Sequence, residues 1–168
     1  MAKEIWKNTI AAMLLKWIQH YNGKKYWRRR AIVVDGSNKT CRLLKLYYLL
    51  WIKRIDAHHN ASMGTSLNAG ALFITPPHLP HGLNGIIVGH DAIIGRECTI
   101  FQQVTIAHGG VRIGDKVLIG AGAKILPHVT IGNNVKIGAN CVVVENIPDN
   151  ATVVLPKPRI ITKQTSDK

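Results

Sequence analysis

Three polar side chains lie close together in a stretch of the chain that has no regular periodicity. His78, His81 and Asn84 occur between residues 60 and 85, where Gly and Pro interrupt every regular run. Imidazole titrates near neutral pH, so a histidine there can accept or release a proton. Filling a core does not require this density of polar groups, and loops held on a rigid scaffold often carry function. The stretch is therefore the first candidate for a site.

The frame for this stretch is a repeat of six residues. Ile or Val recurs every sixth position, apart from one step of seven, and Gly follows six of these residues. Four residues after each of these Ile or Val positions lies a small or branched apolar residue, except within the step of seven. This period fits neither a helix nor a plain strand and is the signature of a parallel β-helix. The repeat positions are Val88, Ile94, Ile100, Ile106, Ile113, Ile119, Ile125, Ile131, Ile137 and Val143.

Stacked coils explain this composition. Like residues lie above like residues, so a column of branched aliphatics fills the interior while Gly allows the chain to turn. We expect an irregular first coil over 60–85, a regular array over 86–144, and a bulging corner within 107–112 at the step of seven. His90, His108 and His128 fall at turn positions and are expected to point away from the core. The closing segment is expected to cover the last coil.

The first 60 residues differ in character from the array. Apolar residues at helical intervals predict amphipathic helices over 3–20 and 39–56. The basic stretch 24–30 is interpreted as an exposed connection. Asp35-Gly36 predicts a turn before the second helix, with Ser37 or Asn38 as its N-cap.

Charge is concentrated in the same segment. The formal net charge is +13, and residues 1–60 hold 13 of the 22 Lys and Arg but only three of the nine acidic residues. A solvated basic face, an anionic membrane and an acidic ligand all fit this charge. Four Trp among the cations are typical of helices that lie in a bilayer interface. We expect no nucleic-acid partner, because no recognised binding motif accompanies the charge.

Targeting and redox features are few. The longest apolar run, 43–52, is interrupted by Lys45 and is shorter than the ~20 residues of a spanning helix. No clear signal-peptide cleavage site follows an apolar stretch, so a cytoplasmic location is expected. Three Cys predict neither a disulfide framework nor a zinc site. Cys98 and Cys141 occupy small-residue positions of the repeat and are interpreted as core filler.

The repeats resemble the hexapeptide acyltransferase superfamily, and within it the serine O-acetyltransferases and related O-acetyltransferases of polysaccharide biosynthesis. The resemblance covers roughly 61–161. It rests on four segments: His81-Gly-Leu-Asn-Gly-Ile-Ile-Val-Gly, Ile100-Phe-Gln-Gln-Val-Thr-Ile, Ile119-Gly-Ala-Gly-Ala-Lys-Ile-Leu and Ile137-Gly-Ala-Asn-Cys-Val-Val. The fold that it implies is mainly β, a left-handed parallel β-helix with a small N-terminal α-helical segment. The implied domains are a basic helical segment at 1–60, the β-helix at 61–161 and a polar tail at 162–168.

The resemblance also implies roles for the polar residues. His81 falls on the family's general base, and His78, Asn84 and His108 become candidate substrate contacts. The serine enzymes orient their base with an Asp about fifteen residues upstream, whereas this chain has no Asp or Glu between Asp56 and Asp91. A backbone carbonyl, Asn84 or a carboxylate from a neighbouring chain could orient the ring instead. The loop that holds the amino-acid carboxylate in the serine enzymes is also missing.

The co-substrate implied by the family is acetyl-CoA, with no metal. In the relatives its pantetheine arm lies between adjacent β-helices of a homotrimer, along Gly-Ala corners. Basic side chains near the C-terminal coils meet its phosphates. The positions that correspond here are Ala121, Lys124, Lys136, Ala139 and Arg159.

The sequence and this resemblance therefore predict an acetyl-CoA-dependent O-acetyltransferase. Its first candidate acceptor is a sugar or glycan hydroxyl, and its second candidate is serine. Two alternatives stay open. One is a zinc β-helix enzyme of the γ-carbonic anhydrase kind, although its His-x-x-x-x-His pair is missing. The other is a non-catalytic trimeric scaffold that docks on a membrane or on a partner through the basic helices.

Overall fold

The structure is a computed structural model that describes residues 21–157 and residue 159. Within these residues the chain forms two helices and a β-helix of about four turns. The helix predicted over 3–20 and the polar tail at 162–168 lie outside the described residues. None of the helices in the described part combines the length and the apolar character that crossing a membrane requires.

The two helices pack against each other and against the first coil. Helix α1 spans Gly23–Val34 and α2 spans Arg42–His58. They run antiparallel, because the Tyr26 hydroxyl near the start of α1 donates to Asp56 Oδ1 near the end of α2 (2.6 Å). At the other end, Lys45 Nζ donates to the Asp35 carbonyl (2.7 Å). Helix α2 confirms the helix predicted over 39–56.

Two predictions for this segment are wrong. Residues 24–30 belong to α1 instead of forming an exposed connection, and Tyr26 and Arg30 are buried. Their burial comes from α2 and the first coil, which the local run of cations does not reveal. The N-cap of α2 is Cys41, without a side-chain cap, because Asn38 Oδ1 instead accepts from the Thr40 N–H (2.9 Å). The predicted turn at Asp35-Gly36 is confirmed.

The β-helix is built from strands of two residues each. Along the chain these are β1 Ser62–Met63, β2 Thr65–Ser66, β3 Ala69–Gly70, β4 Leu72–Phe73, β5 Ile87–Val88, β6 Ile93–Ile94, β7 Thr99–Ile100, β8 Thr105–Ile106, β9 Arg112–Ile113, β10 Leu118–Ile119, β11 Lys124–Ile125, β12 Thr130–Ile131, β13 Lys136–Ile137, β14 Val142–Val143 and β15 Thr152–Val153. All except β2 and β3, which form an antiparallel pair, join parallel sheets.

The parallel strands form the three faces of a prism. Face A has the order β1-β5-β8-β11-β14, face B the order β12-β9-β6-β4, and face C the order β15-β13-β10-β7. The second residue of each strand from β5 to β14 is buried, whereas the first points outward. The predicted column of Ile and Val therefore forms the core, and the left-handed parallel β-helix is confirmed. Cys98 and Cys141 are buried in it.

The corners explain the glycines and the step of seven. A Cβ on Gly89 would lie 2.6 Å from the Ala107 carbonyl oxygen of the next coil, so only Gly allows this close approach. At the extra residue, Gly109 and Gly110 adopt positive φ angles of 104° and 72°. Their N–H groups both donate to Asp91 Oδ2 (2.8 Å each). This corner is the predicted bulge.

Candidate active site

The candidate residues separate onto different edges of the prism. The first edge joins face C to face A and consists of the corners 79–86, 101–104, 120–123 and 138–141. Its corners stack through backbone hydrogen bonds: the carbonyls of the upper corners accept from N–H groups of the next corner down. The bonds are Gln103 N–H to Asn84 O (2.9 Å), Gly122 N–H to Gln102 O (3.0 Å) and Asn140 N–H to Ala121 O (2.8 Å). His81, Asn84, Ala121 and Ala139 therefore share one edge.

His81 lies exposed at the top of the first edge. Its imidazole lies 5.9 Å, centroid to centroid, from the Phe101 ring of the next coil. Within the described residues, no hydrogen bond is made to that imidazole. The ring therefore has an apolar neighbour on one side and free nitrogens for an incoming hydroxyl. Phe101 was not singled out from the sequence, because His81 lies in the irregular first coil, where the repeat does not fix which residue lies below it.

Asn84 ties the His81 loop to the helices. Its Nδ2 donates to the His81 carbonyl (2.9 Å), and its Oδ1 accepts from His59 Nδ1 (3.0 Å). His59 follows the end of α2, and its carbonyl accepts from the Gly85 N–H (2.9 Å). The amide of Asn84 thus holds the backbone of His81 and leaves the ring unrestrained. No local sequence signal could have found His59, because the contact joins segments 25 residues apart.

His78 occupies face C above β7. Its N–H donates to the Cys98 carbonyl (2.8 Å) and its carbonyl accepts from the Ile100 N–H (3.0 Å). The backbone of His78 thus extends the sheet, while its side chain is exposed. These bonds fix the start of the loop that reaches His81 three residues later.

His108 lies on a second edge, which joins face A to face B. There its ring stacks on His90 with centroids 5.2 Å apart, and its Nδ1 lies 3.7 Å from Asp91 Oδ1. Bonds from the Gly109 and Gly110 N–H groups lower the pKa of Asp91, so this carboxylate stays ionised. Within one chain, the structure does not bring His108 to the edge that carries His81.

The corner residues below His81 present free backbone donors. The N–H groups of Ala121 and Ala139 donate to no acceptor within the described residues, and both residues are at least partly exposed. They lie on consecutive coils, so they can pair with amide carbonyls of an extended ligand that runs along the edge. Lys124 borders the same edge, and its Nζ donates to the Gln103 carbonyl (3.0 Å).

The remaining cations lie toward the C-terminal coils. Lys136 is exposed on face C, where it pairs in register with Thr152 of β15. Arg159 is exposed beyond the last strand. Among the described residues, no group of three or more His, Cys, Asp or Glu side chains is arranged to hold a metal ion.

Three parallel faces, a core column of Ile and Val and glycine corners define a hexapeptide-repeat β-helix. Residues 110–144 match the family model "Bacterial transferase hexapeptide (six repeats)". A serine acetyltransferase of Staphylococcus aureus (strain Mu50 / ATCC 700699) is 34% identical over 157 residues, which cover 89% of this chain and 60% of the relative. The chain thus spans about 60% of the length of this relative.

Solved structures agree with this match. The structure of Neisseria gonorrhoeae serine acetyltransferase in complex with serine has a TM-score of 0.59 and 30% identity, covering 80% of this chain and 54% of that one. A serine acetyltransferase complex with CoA gives 0.60 and 28%, covering 76% and 50%. The chain belongs to the hexapeptide-repeat acyltransferase superfamily and is serine O-acetyltransferase-like.

Proposed function

We propose that the chain is an acetyl-CoA-dependent O-acetyltransferase whose site is the first edge. The observation that carries the proposal is that one edge holds an exposed imidazole and, below it, the free N–H groups of Ala121 and Ala139. An imidazole suits proton transfer near neutral pH, and free N–H groups along an edge suit the amides of a pantetheine arm. The serine acetyltransferase solved with CoA supports this donor.

The reaction follows from these groups. His81 takes the proton of an acceptor hydroxyl as its oxygen attacks the thioester carbonyl. The new C–O bond forms and gives a tetrahedral intermediate, whose oxyanion accepts hydrogen bonds from backbone N–H groups. The C–S bond then breaks. Coenzyme A leaves as a thiolate, which takes up the proton held by His81. Lys124, Lys136 and Arg159 are the cations proposed to meet the phosphates of the donor.

The acceptor that similarity favours is serine, which the names of the relatives state. A sugar or glycan hydroxyl is the second candidate. It is favoured because the chain has no Asp or Glu between Asp56 and Asp91 that could reproduce the dyad of the serine enzymes. His78 and, from an adjacent chain, His108 are the proposed acceptor contacts. Asn84 bonds the His81 carbonyl and His59, which favours a positioning role over acceptor contact.

We propose a homotrimer in which the first edge of one prism faces its neighbour. The outer side of face A, which borders this edge, carries the exposed apolar residues Ile87 and Val142. Burying apolar area of this kind favours association. A neighbouring chain would also bring its His108 to the first edge, which the His108 of the same chain does not reach.

Thiol release from acetyl-CoA tests the activity directly. The full chain should release thiol only when an acceptor is present, so we would measure it with serine, sugars, nucleotide sugars and oligosaccharides and identify the acetylated product by mass spectrometry. Serine is expected to give the highest rate. Firm acetyl-CoA binding without thiol release for any acceptor would instead favour a non-catalytic scaffold.

Asn84 is proposed as a positioning residue for His81. We expect Asn84→Ala to lower kcat by roughly ten- to a hundredfold with little change in KM for acetyl-CoA, because the His81 loop loses its tie to α2 while the corners below stay intact. His59→Ala should have a similar effect, and the two changes together should add little more, because they break one link. Steady-state kinetics of the three variants check this.

The matched control is Asn134→Ala. This Asn is exposed at a corner away from the first edge, and its Nδ2 donates to Asn150 Oδ1 (3.2 Å). The kcat of Asn134→Ala should stay at the wild-type level. If Asn84→Ala instead raised KM for the acceptor with kcat unchanged, Asn84 would be a substrate contact and the positioning role would be wrong.

A further inference from the structure

A row of large apolar side chains is exposed along α2. The exposed fractions are 81% for Leu43, 42% for Leu46, 56% for Tyr47 and 64% for Leu50. Their spacing of i, i+3, i+4 and i+7 places them on one side of the helix. We call these four residues the α2 stripe. The opposite side of α2 packs against α1 and β1. It contains Lys45, Ile52, Ile55 and Asp56, which are buried.

Cations border the α2 stripe on both sides. Helical spacing places Arg42 and Lys53, both exposed, along one side of it. On the other side, α1 brings Lys25 and Arg29 against Trp51, with Lys25 Nζ 5.6 Å and Arg29 Cζ 4.3 Å from the ring centroid. An apolar row between two basic borders with an aromatic ring is the composition of a helix that lies in a membrane interface.

Acidic groups do not offset this charge. Residues 21–60 contain ten Lys and Arg, of which all but Arg30 and Lys45 are at least partly exposed, and only two acids, Asp35 and Asp56. Asp56 is buried and accepts from the Tyr26 hydroxyl. Asp35 is exposed at the end of α1, accepts from the N–H and hydroxyl of Ser37, and is the one exposed acid against eight cations in this segment. The outer surface of the two helices is therefore basic.

A depression of about 420 Å³ adjoins the α2 stripe near the end of the helix. Trp51, Arg54, Ile55 and His58 line it. Its guanidinium and its indole ring suit a phosphate-containing headgroup, because Arg pairs with phosphate oxygens through two parallel hydrogen bonds. Helical spacing places the Arg54 guanidinium one turn beyond Leu50, next to the apolar row.

We propose that α2 lies in the interface of an anionic membrane, with the α2 stripe in the acyl boundary and the basic borders among the headgroups. A second copy of the chain fits less well, because it would bring like-charged borders together. Nucleic acid fits less well, because the exposed leucines would bury no apolar area against a phosphate backbone. An anionic bilayer satisfies both the apolar row and its charge.

Vesicle sedimentation with the full chain tests this proposal. Wild type should bind phosphatidylcholine vesicles that contain phosphatidylglycerol and should bind pure phosphatidylcholine at least tenfold more weakly. Leu43→Glu/Leu50→Glu should lower the partition coefficient on anionic vesicles by about tenfold or more, because two charges would have to enter the apolar boundary. Arg42→Glu/Lys53→Glu should lower it by a similar factor.

The matched control is Val154→Glu/Leu155→Glu. These residues are exposed to 72% and 52% but lie after β15 at the other end of the prism. This variant should bind anionic vesicles as wild type does. Thiol release from acetyl-CoA by Leu43→Glu/Leu50→Glu should remain at the wild-type level, so the membrane contact is tested separately from the proposed catalysis.

Three results would overturn the proposal. One is equal binding of wild type to neutral and anionic vesicles, or no binding to either. Another is unchanged vesicle binding by Leu43→Glu/Leu50→Glu. The third is a smaller assembly for that variant in light scattering, which would assign the α2 stripe to contact between copies of the chain.

Discussion

Replacing His81 by Ala is expected to lower kcat for acetyl transfer by about 10²–10⁴, the range for loss of a positioned general base. The alcohol would then have to lose its proton to water as it attacks the thioester. Acetyl-CoA binding should persist, because the free N–H groups of Ala121 and Ala139 lie on lower coils of the same edge. Steady-state kinetics and calorimetry with coenzyme A measure the two effects.

His128→Ala is the control for the His81 variant. His128 is exposed on the second edge, and its replacement removes one imidazole, as the replacement of His81 does. Its kcat should match that of wild type. A kcat for His81→Ala within twofold of wild type would show that another group takes the proton, whereas loss of coenzyme binding would indicate a folding defect in the edge.

Replacing Arg30 by Ala is expected to lower the free energy of unfolding by about 3–4 kcal/mol. Arg30 joins α1 to the first coil: its Nη2 donates to the carbonyls of Met63 (2.9 Å) and Ala71 (2.7 Å), and its Nε donates to Thr65 Oγ1 (3.0 Å). Removing the guanidinium would leave buried acceptors without a donor. Its cation also lies 4.7 Å from the Phe73 ring centroid.

Chemical denaturation of the variants measures this effect. Arg28→Ala is the matched control, because Arg28 is an exposed cation on the same helix, and we expect a change within about 0.5 kcal/mol. Burial lowers the pKa of Arg30 to about 10, so the guanidinium is still a cation at neutral pH. Arg30→Lys should recover only part of the stability, because one ammonium cannot reproduce the fork of donors. Equal stability of the Arg28 and Arg30 variants would show that the buried bonds contribute little.

The larger of the two wrong predictions concerns α1, and the smaller one the N-cap of α2. A run of cations at 24–30 predicts a solvated connection, yet Arg30 and Tyr26 are buried. Their partners, Thr65 and Asp56, lie 35 and 30 residues away along the chain. A charged residue is buried only when such distant groups satisfy it, and no local pattern contains that information.

The six-residue period determined the coils, the core column and the common edge of Ala121 and Ala139, since each of these depends only on register along the chain. Tertiary structure alone decided that His59 reaches Asn84, that His108 lies on a different edge from His81, and that α2 leaves its leucines exposed. Register is a local property that repeats with the sequence. These contacts instead depend on how the two helices pack on the first coil, where the repeat is interrupted and many distant side chains fit together at once.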